Sequence, residues 1–384
     1  MPADAQRIIV IGAGIGGLAA ALGLQRRGFT VAVYERGAEI REFGAGVVIA
    51  PNARRALRDL GVDSELERLS SSAPQMHTCR YATGEIVRID RNDHIAEKHG
   101  MRVLQVHRGD LHGLLREAVR ANDPEALRPG HTFVSLEQDA VGVTVHFANG
   151  ASDRADAVIG ADGNTSAVRS FLFPDEAPRF NGQVAFRALV PQELVPEPVS
   201  QRQSAMYPAP RRYLLHYPLR GGSLMNVIGC GQSDSWHEEG WSIPATNEEF
   251  AAHYADLAPE VVELIRRIPE GALFKWGLRD REPLARWTVG RVTMLGDAAH
   301  PMTPFLGQGA CLAIEDSLLL GRAFAAADTV EEALARYEAA RRPRGTNVQL
   351  WSREEGRALQ DPSIPRRTAL DRGLYDYDPA TVPV

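Results

Sequence analysis

The stretch "RIIVIGAGIGGLAAALGLQRRG", Arg7 to Gly28, most limits what this 384-residue chain can become. Arg7–Ile11 is a short, β-branched apolar run, the pattern of a strand buried on both faces. Glycines follow at once, then a helical segment closed by Gly28. "TVAVYE", Thr30–Glu35, reads as the next strand, so the unit is a βαβ crossover and the chain is committed to a parallel sheet. Gly12, Gly14 and Gly17 fit G-x-G-x-x-G. The first permits a tight turn, the second lets backbone approach a pyrophosphate, and the third lets helix and strand pack closely. Alone the pattern is also that of a ligand-free glycine turn. Here Glu35 ends the second strand 18 residues after Gly17, where a carboxylate accepts hydrogen bonds from an adenosine ribose. An acid there favours an unphosphorylated ribose, that of NAD or FAD rather than NADP.

Further along, "HRGDLHGLLREAV" (His107–Val119) carries a helical stripe at Leu111, Leu114, Leu115 and Val119. Val141, Val143, Val145 and Phe147 alternate as in a half-buried strand, and Asn149-Gly150 predicts a two-residue hairpin. "DAVIGADG" is a buried strand ending in a turn. From about Phe171 to Trp287 prolines recur among short alternating segments, which predicts an antiparallel sheet. "TNEEFAAHYADL" is a helix capped by Thr246 or Asn247. "GRVTMLGDAAH" returns to the buried-strand pattern. A helix starting near Ala310 runs to about Ala327, and a last one, "VEEALARYEAARRPRG", is expected to end in solvent at the basic tract Arg341–Gly345.

Composition narrows the function. A net charge of −6 without a basic cluster argues against nucleic acid or an anionic membrane as partner. Cys79, Cys230 and Cys311 are scattered, which fits a reducing cytoplasm and no disulfide framework. His94/His99 and His107/His112 are five apart, which does not place two ligands on one helix face, so no metal site is expected. Ile8–Gln25 is uncharged, but its central glycines rule against a signal core or membrane span.

A second loop, "GDAAHPMTPFLGQGACLAIED" (Gly296–Asp316), again packs small and polar residues ahead of a helix. A loop of this kind presents backbone N–H groups to negative charge. Together with "GAGIGG" plus Glu35 and "GADGNTSAVR" (Gly160–Arg169), and with linking segments such as "HRGDLHGLL", "AFRALVP" and "LLHYPLRGG", it carries a family resemblance from about Arg7 to Arg342. The chain resembles the single-component FAD-dependent aromatic hydroxylases of the salicylate hydroxylase and 6-hydroxynicotinate 3-monooxygenase type. The resemblance implies an α/β fold: a Rossmann-like FAD-binding domain with a β-meander, interleaved with a mostly antiparallel substrate domain. The expected boundaries are 1–70, 100–172 and 286–345 for FAD, 71–99 and 173–285 for substrate, and 346–384 for a C-terminal helix and tail.

It further implies two loops on one ligand, a non-covalent FAD. The N-terminal loop (Gly12, Gly14, Ile15, Gly16, Gly17), Glu35 and Arg36 would hold the adenosine half. Arg108 would reach the pyrophosphate or ribityl side and Asp297 the ribityl chain. Val47 and the stretch Pro304–Cys311, with Gly307, Gly309, Ala310 and Cys311, would lie along the isoalloxazine. Glycines at 307 and 309 suit a flat ring lying close, and the following helix turns its N-terminal dipole toward the ring. Asp162 reads equally as a cofactor neighbour and as ordinary Asp-Gly turn chemistry.

The implied reaction uses NAD(P)H to reduce FAD and O₂ to form a flavin C4a-hydroperoxide, which hydroxylates a phenolic or hydroxylated aromatic or heteroaromatic acid, with or without decarboxylation. Tyr217 matches a substrate-binding tyrosine of related hydroxylases. Arg187 is a cation for a phenolate or carboxylate, or else half of a structural ion pair. His216, next to Tyr217, faces the other side of its strand and is not expected to be the base. The chain departs from subgroup patterns at Val47, Thr303 and Tyr213, which leaves the ring open. The alternatives are another FAD reaction on this fold and a non-catalytic FAD-binding protein; a cytoplasmic monomer or homodimer is expected.

Overall fold

The computed structural model describes residues 6–40, 45–233, 236, 243–361 and 363–384. Arg7–Ile11 is the centre of a five-stranded parallel sheet, ordered Val292–Met294, Ala157–Gly160, Arg7–Ile11, Thr30–Tyr34, Leu127–Arg128. Ile8, Ile9 and Val10 are wholly buried, as the uninterrupted apolar run requires. One face of this sheet packs on a meander, Phe133–Gln138, Val143–Phe147 and Ser152–Ala155, through Ile9, Tyr34, Val143 and Phe147. The other face packs on helices, chiefly the first helix (Ile15–Gln25), Arg108–Asn122 and the late helix (Gly309–Ala326).

A second, eight-stranded sheet is ordered Ile243–Pro244, Leu273–Asp280, Arg179–Pro191, Leu224–Gln232, Arg212–Leu219, Ala205–Ala209, Gln75–Cys79, Ile86–Arg91. Its pairings are antiparallel except where Ala205–Ala209 lies parallel to Gln75–Cys79. Helices Asn247–His253 and Pro259–Arg266 cover one face. Thr246 is the cap, accepting from the Glu249 N–H. The other face turns toward the glycine loops.

Four local expectations need correction. The hairpin after Phe147 has three loop residues, Ala148–Gly150, closed by the Gly150 N–H to the Phe147 carbonyl, with Gly150 at φ +84°. Asn149 keeps a negative φ, so this is a turn followed by a left-handed glycine rather than a two-residue hairpin. Val141 is 70% exposed, because the strand begins only at Val143. His107 ends a strand, and the helix it was read into spans Arg108–Asn122.

The fourth is the basic tract. The last helix runs from Val330 to Ala358, through Pro343 and across residue 345. Arg341 is not in solvent but completely buried. Its Nε donates to Asp316 Oδ1 at 2.6 Å and its Nη2 lies 2.8 Å from Glu315 Oε2; Arg344 Nε donates to Glu315 at 2.7 Å. His300 Nε2 donates to the other oxygen of Asp316, which also accepts the Gly296 N–H. Two buried acids of the late helix are thus matched by two arginines of the next. Burial pushes the Asp316 carboxyl up, but His300 and Arg341 overrule it and hold it at about 2.

Arg341→Met should therefore cost about 3–5 kcal/mol, because it strands buried carboxylates. The half-buried neighbour Arg342→Ala, whose ion pair with Glu338 is loose at 3.4 Å, should stay within ~1 kcal/mol. Urea melts of the two variants check this, and similar midpoints would refute the buried assignment. Asp316 has its pKa depressed on folding, so its stabilisation is present above the unfolded value of ~4 and lost as pH falls toward 2. The pH dependence of the melts in that window should flatten in Arg341→Met.

Candidate active site

The four glycines of the first loop answer to different neighbours. Gly12 sits at φ +105°, and a Cβ there would lie 2.5 Å from the Ala161 carbonyl oxygen. A Cβ on Gly17 would come within 1.9 Å of the Gly12 oxygen, and one on Gly16 within 2.9 Å of Leu295. The protein itself demands these three. Gly14 is different: its φ is an ordinary −74°, and a Cβ would touch nothing within 4 Å. The space over Gly14 is the floor of a cleft of about 300 Å³ that Glu35, Arg36, Arg108 and Asp162 also line.

Glu35 accepts N–H bonds from Ala13 at 3.0 Å and Gly37 at 2.9 Å, which ties the loop to the second strand. His112, on the helix that begins with Arg108, bonds the Ala13 carbonyl at 2.8 Å. Ile15 turns its side chain into the core, so only its backbone belongs to the loop. Asp162 accepts from the Ser166 hydroxyl and from the N–H groups of Ala167 and Val168, at the start of helix Ala167–Leu172. Its turn chemistry is real, and the same residue borders the cleft.

The late loop arrives from the strand Val292–Met294 beside Ala157–Gly160. Asp297 is solvent-accessible although protein surrounds it, which places its carboxylate in an internal groove. That enclosure raises its pKa, with His300 and Arg108 opposing. Pro304 and Gly307, farther along the loop, are exposed. Gly307 is left-handed at φ +63° with open space where a Cβ would be, and a Cβ on Gly309 would sit 3.6 Å from Asp297 Oδ1. Ala310 is half-buried in the first turn of the late helix. Cys311 points away: its Sγ donates to the Val48 carbonyl and accepts from the Ala50 N–H, and burial pushes the thiol up to about 12. Val47 is half-buried against the core. Gly44, in the segment before it, lies outside the described residues.

The face of the eight-stranded sheet away from helices Asn247–His253 and Pro259–Arg266 is buried against the other part of the chain. Alternation puts Arg187, Ile228, Asn226, Leu215, Tyr217 and Tyr213 on it, while His216 points into the opposite core against Tyr207. One residue joins this sheet to the other part: the Gly46 N–H donates to Asn226 Oδ1 at 2.9 Å, and Arg187 Nη2 donates to the Gly46 carbonyl at 3.2 Å. A Cβ on Gly46 would lie 2.7 Å from the Tyr217 hydroxyl.

Arg187 also stacks on Trp276 at 5.7 Å and makes no ion pair among the described residues. Burial lowers its pKa, and Arg108 adds to that. The Tyr217 phenol is pushed up to about 12 by burial against the pull of Arg187, so it is a neutral hydroxyl at physiological pH. Of the departing positions, Thr303 is bonded to Ser352 and Tyr213 packs edge-on to Phe305.

Gly46, Asn226, His112 and the Glu315–Asp316 pair were not singled out from sequence. A signal existed for two of them: Asn226 is polar in an apolar alternation, and Glu315-Asp316 interrupts an apolar helix. Among the described residues no cluster of ligating side chains could hold a metal, and no helix is long and apolar enough to cross a membrane.

A family model described as an FAD binding domain matches residues 5–352. The chain is 37% identical over 370 residues to 3-amino-4-hydroxybenzoate 2-monooxygenase of Streptomyces platensis, covering 96% of this chain and 92% of that one. It is 35% identical over 353 residues to 6-hydroxynicotinate 3-monooxygenase of Bordetella bronchiseptica, covering 91% of each. Among solved structures, a salicylate hydroxylase substrate complex superposes with a TM-score of 0.81 at 27% identity, over 98% of this chain and 96% of that one. With a glycine-floored cleft and a second glycine loop converging on one groove, the chain belongs to the FAD-binding family of flavoprotein monooxygenases.

Proposed function

We propose that this enzyme, an FAD-dependent aromatic monooxygenase, hydroxylates a phenolic aromatic or heteroaromatic acid at the groove between its two sheets, with NAD(P)H as reductant and O₂ as co-substrate. The observation that carries the substrate class is Arg187, a cation enclosed by protein with no acidic partner among the described residues, beside the neutral hydroxyl of Tyr217. A buried charge without a counter-ion is costly, and an anionic ligand relieves that cost.

The residues present fit FAD. The void over Gly14 suits a pyrophosphate, Glu35 keeps acceptor capacity for a ribose, and Arg108 lies within reach of both Asp297 and Arg187 by charge. Gly12, Gly16 and Gly17 shape that loop and Arg36 edges it. Pro304, Gly307, Gly309 and Ala310 border the ring end, with Val47 and Cys311 packed behind. Bound FAD supplies the electron transfer and oxygen activation. Arg187 orients the carboxylate or phenolate of the substrate, Tyr217 donates to its phenolic oxygen, and the apolar residues around them exclude water. The interleaved division into an FAD part and a substrate part is supported by the origin of the two sheets' strands. A reducing cytoplasm is supported by three buried cysteines, none in a disulfide.

Gly14→Val should fold normally yet purify without flavin, since only a ligand needs the space it fills. Gly17→Ala should fail to fold. A yellow Gly14→Val protein with one FAD per chain would refute the assignment of the cleft.

Arg187→Met should raise KM for the true aromatic acid while leaving FAD content unchanged. Tyr217→Phe should keep FAD and NAD(P)H oxidation but release hydrogen peroxide in place of product. Product analysis with NADH, O₂ and a panel of hydroxylated aromatic acids tests the reading directly. The true substrate should speed NAD(P)H oxidation at least ~10-fold, ~1.4 kcal/mol of barrier. Turnover of a neutral alkene or thioether with no response to any aromatic acid would overturn it.

A further inference from the structure

Gln308 stands between Gly307 and Gly309 and is the last residue before the late helix. A residue in that place commonly turns its side chain back to cap the first helical amides, but Gln308 does not. Its side-chain oxygen accepts from Asn52 Nδ2 at 2.9 Å, and the same nitrogen donates to Glu315 Oε1 at 2.6 Å. All three side chains are buried, at 1%, 0% and 0% exposure. Asn52 lies outside both glycine-loop motifs, whereas Gln308 and Glu315 fall within the late stretch Gly296–Asp316.

The carboxylate sets the polarity of this chain. Burial pushes the Glu315 carboxyl up, but Arg344 and Arg341 outweigh it and keep the group ionised. An ionised carboxylate only accepts, so Asn52 must turn its NH₂ toward Glu315. That same NH₂ then faces Gln308, which must answer with its oxygen. The NH₂ of Gln308 is left pointing the other way, and it has no acceptor among the described residues. Asn52 Oδ1, sealed and without a donor, marks the inner end of the chain. On either side of Gln308 the backbone opens on the space beside Gly307 and on Asp297.

We propose that Gln308 donates a hydrogen bond to the flavin ring system in the holoenzyme, and that Asn52, oriented by Glu315, is the positioning residue that holds the donor edge of the amide toward it. This rests on the reading of the groove as the FAD site. A fixed donor at the ring stabilises the negative charge gained on reduction, so the pair raises the flavin's reduction potential. It acts beside the uncapped first turn of the late helix, whose dipole has the same sign of effect.

The test is the midpoint potential of the FAD-loaded enzyme, measured by dye equilibration, together with its visible spectrum. Gln308→Met should bind reduced flavin, relative to oxidised, at least ~10-fold more weakly, a fall of about 30 mV for a two-electron couple. Gln308→Glu keeps the shape and the bond from Asn52 but presents an acceptor to the ring, and it should lower the potential as well. Asn52→Ala should lower it in the wild-type background and produce no further shift in Gln308→Met, because the two act as one unit. An unchanged or raised potential in Gln308→Glu overturns the donor role. Equal Asn52→Ala shifts in both backgrounds overturn the positioning role. A wild-type protein that purifies and reconstitutes without FAD would sink the reading of the groove itself.

Discussion

Everything at the site depends on how closely the first and late helices approach. A Cβ on Gly23 would lie 3.1 Å from the Ser317 carbonyl oxygen, and one on Gly321 would lie 3.0 Å from the Gly23 oxygen. Gly16 makes the same contact at the loop end, against Leu295 and Ala313, where Ser317 Oγ also donates to its carbonyl at 3.1 Å. At Gly23 and Gly321 backbone meets backbone with no side chain between. Two glycine loops almost 300 residues apart in sequence are thereby held on one groove, and a single dinucleotide can span both.

The buried charges follow from that packing. The late helix is enclosed on nearly every side, so Glu315 and Asp316 have no route to water and need arginines within hydrogen-bond reach. Arg341 and Arg344 come from the next helix, which can supply both only by running on through Pro343. The same acids then look outward from the cluster. Asp316 fixes His300 and the Gly296 N–H behind Asp297, while Glu315 fixes Asn52 and, through it, Gln308. One electrostatic cluster therefore sets the shape of the loop at two points.

At the other wall the governing unit is a single residue. Gly46 gives its N–H to Asn226 and its carbonyl to Arg187, and its missing Cβ leaves room for Tyr217. The two residues assigned to substrate are thus seated against a strand of the other part of the chain. Their positions relative to the flavin loops are set by that contact rather than by their own strands alone.

Periodicity and glycine spacing by themselves determined the βαβ unit, the second sheet, a helix cap at Thr246 or Asn247 and the two loops, because strand burial, turns and caps are decided by a few neighbouring residues. They also placed His216 behind its strand, since alternation is local. The residues around them could not show which glycine serves the protein and which serves a ligand: Gly12 and Gly17 are filled by Ala161 and Gly12 itself, Gly14 by nothing. They misplaced Arg341, because a basic tract after a helical pattern looks solvated until its acidic partners are found 25 residues earlier. The pairing of Gly46 with Asn226 and Arg187, and the chain from Glu315 to Gln308, join segments more than 140 residues apart. Such contacts carry no local pattern, so only the packed tertiary structure could decide them.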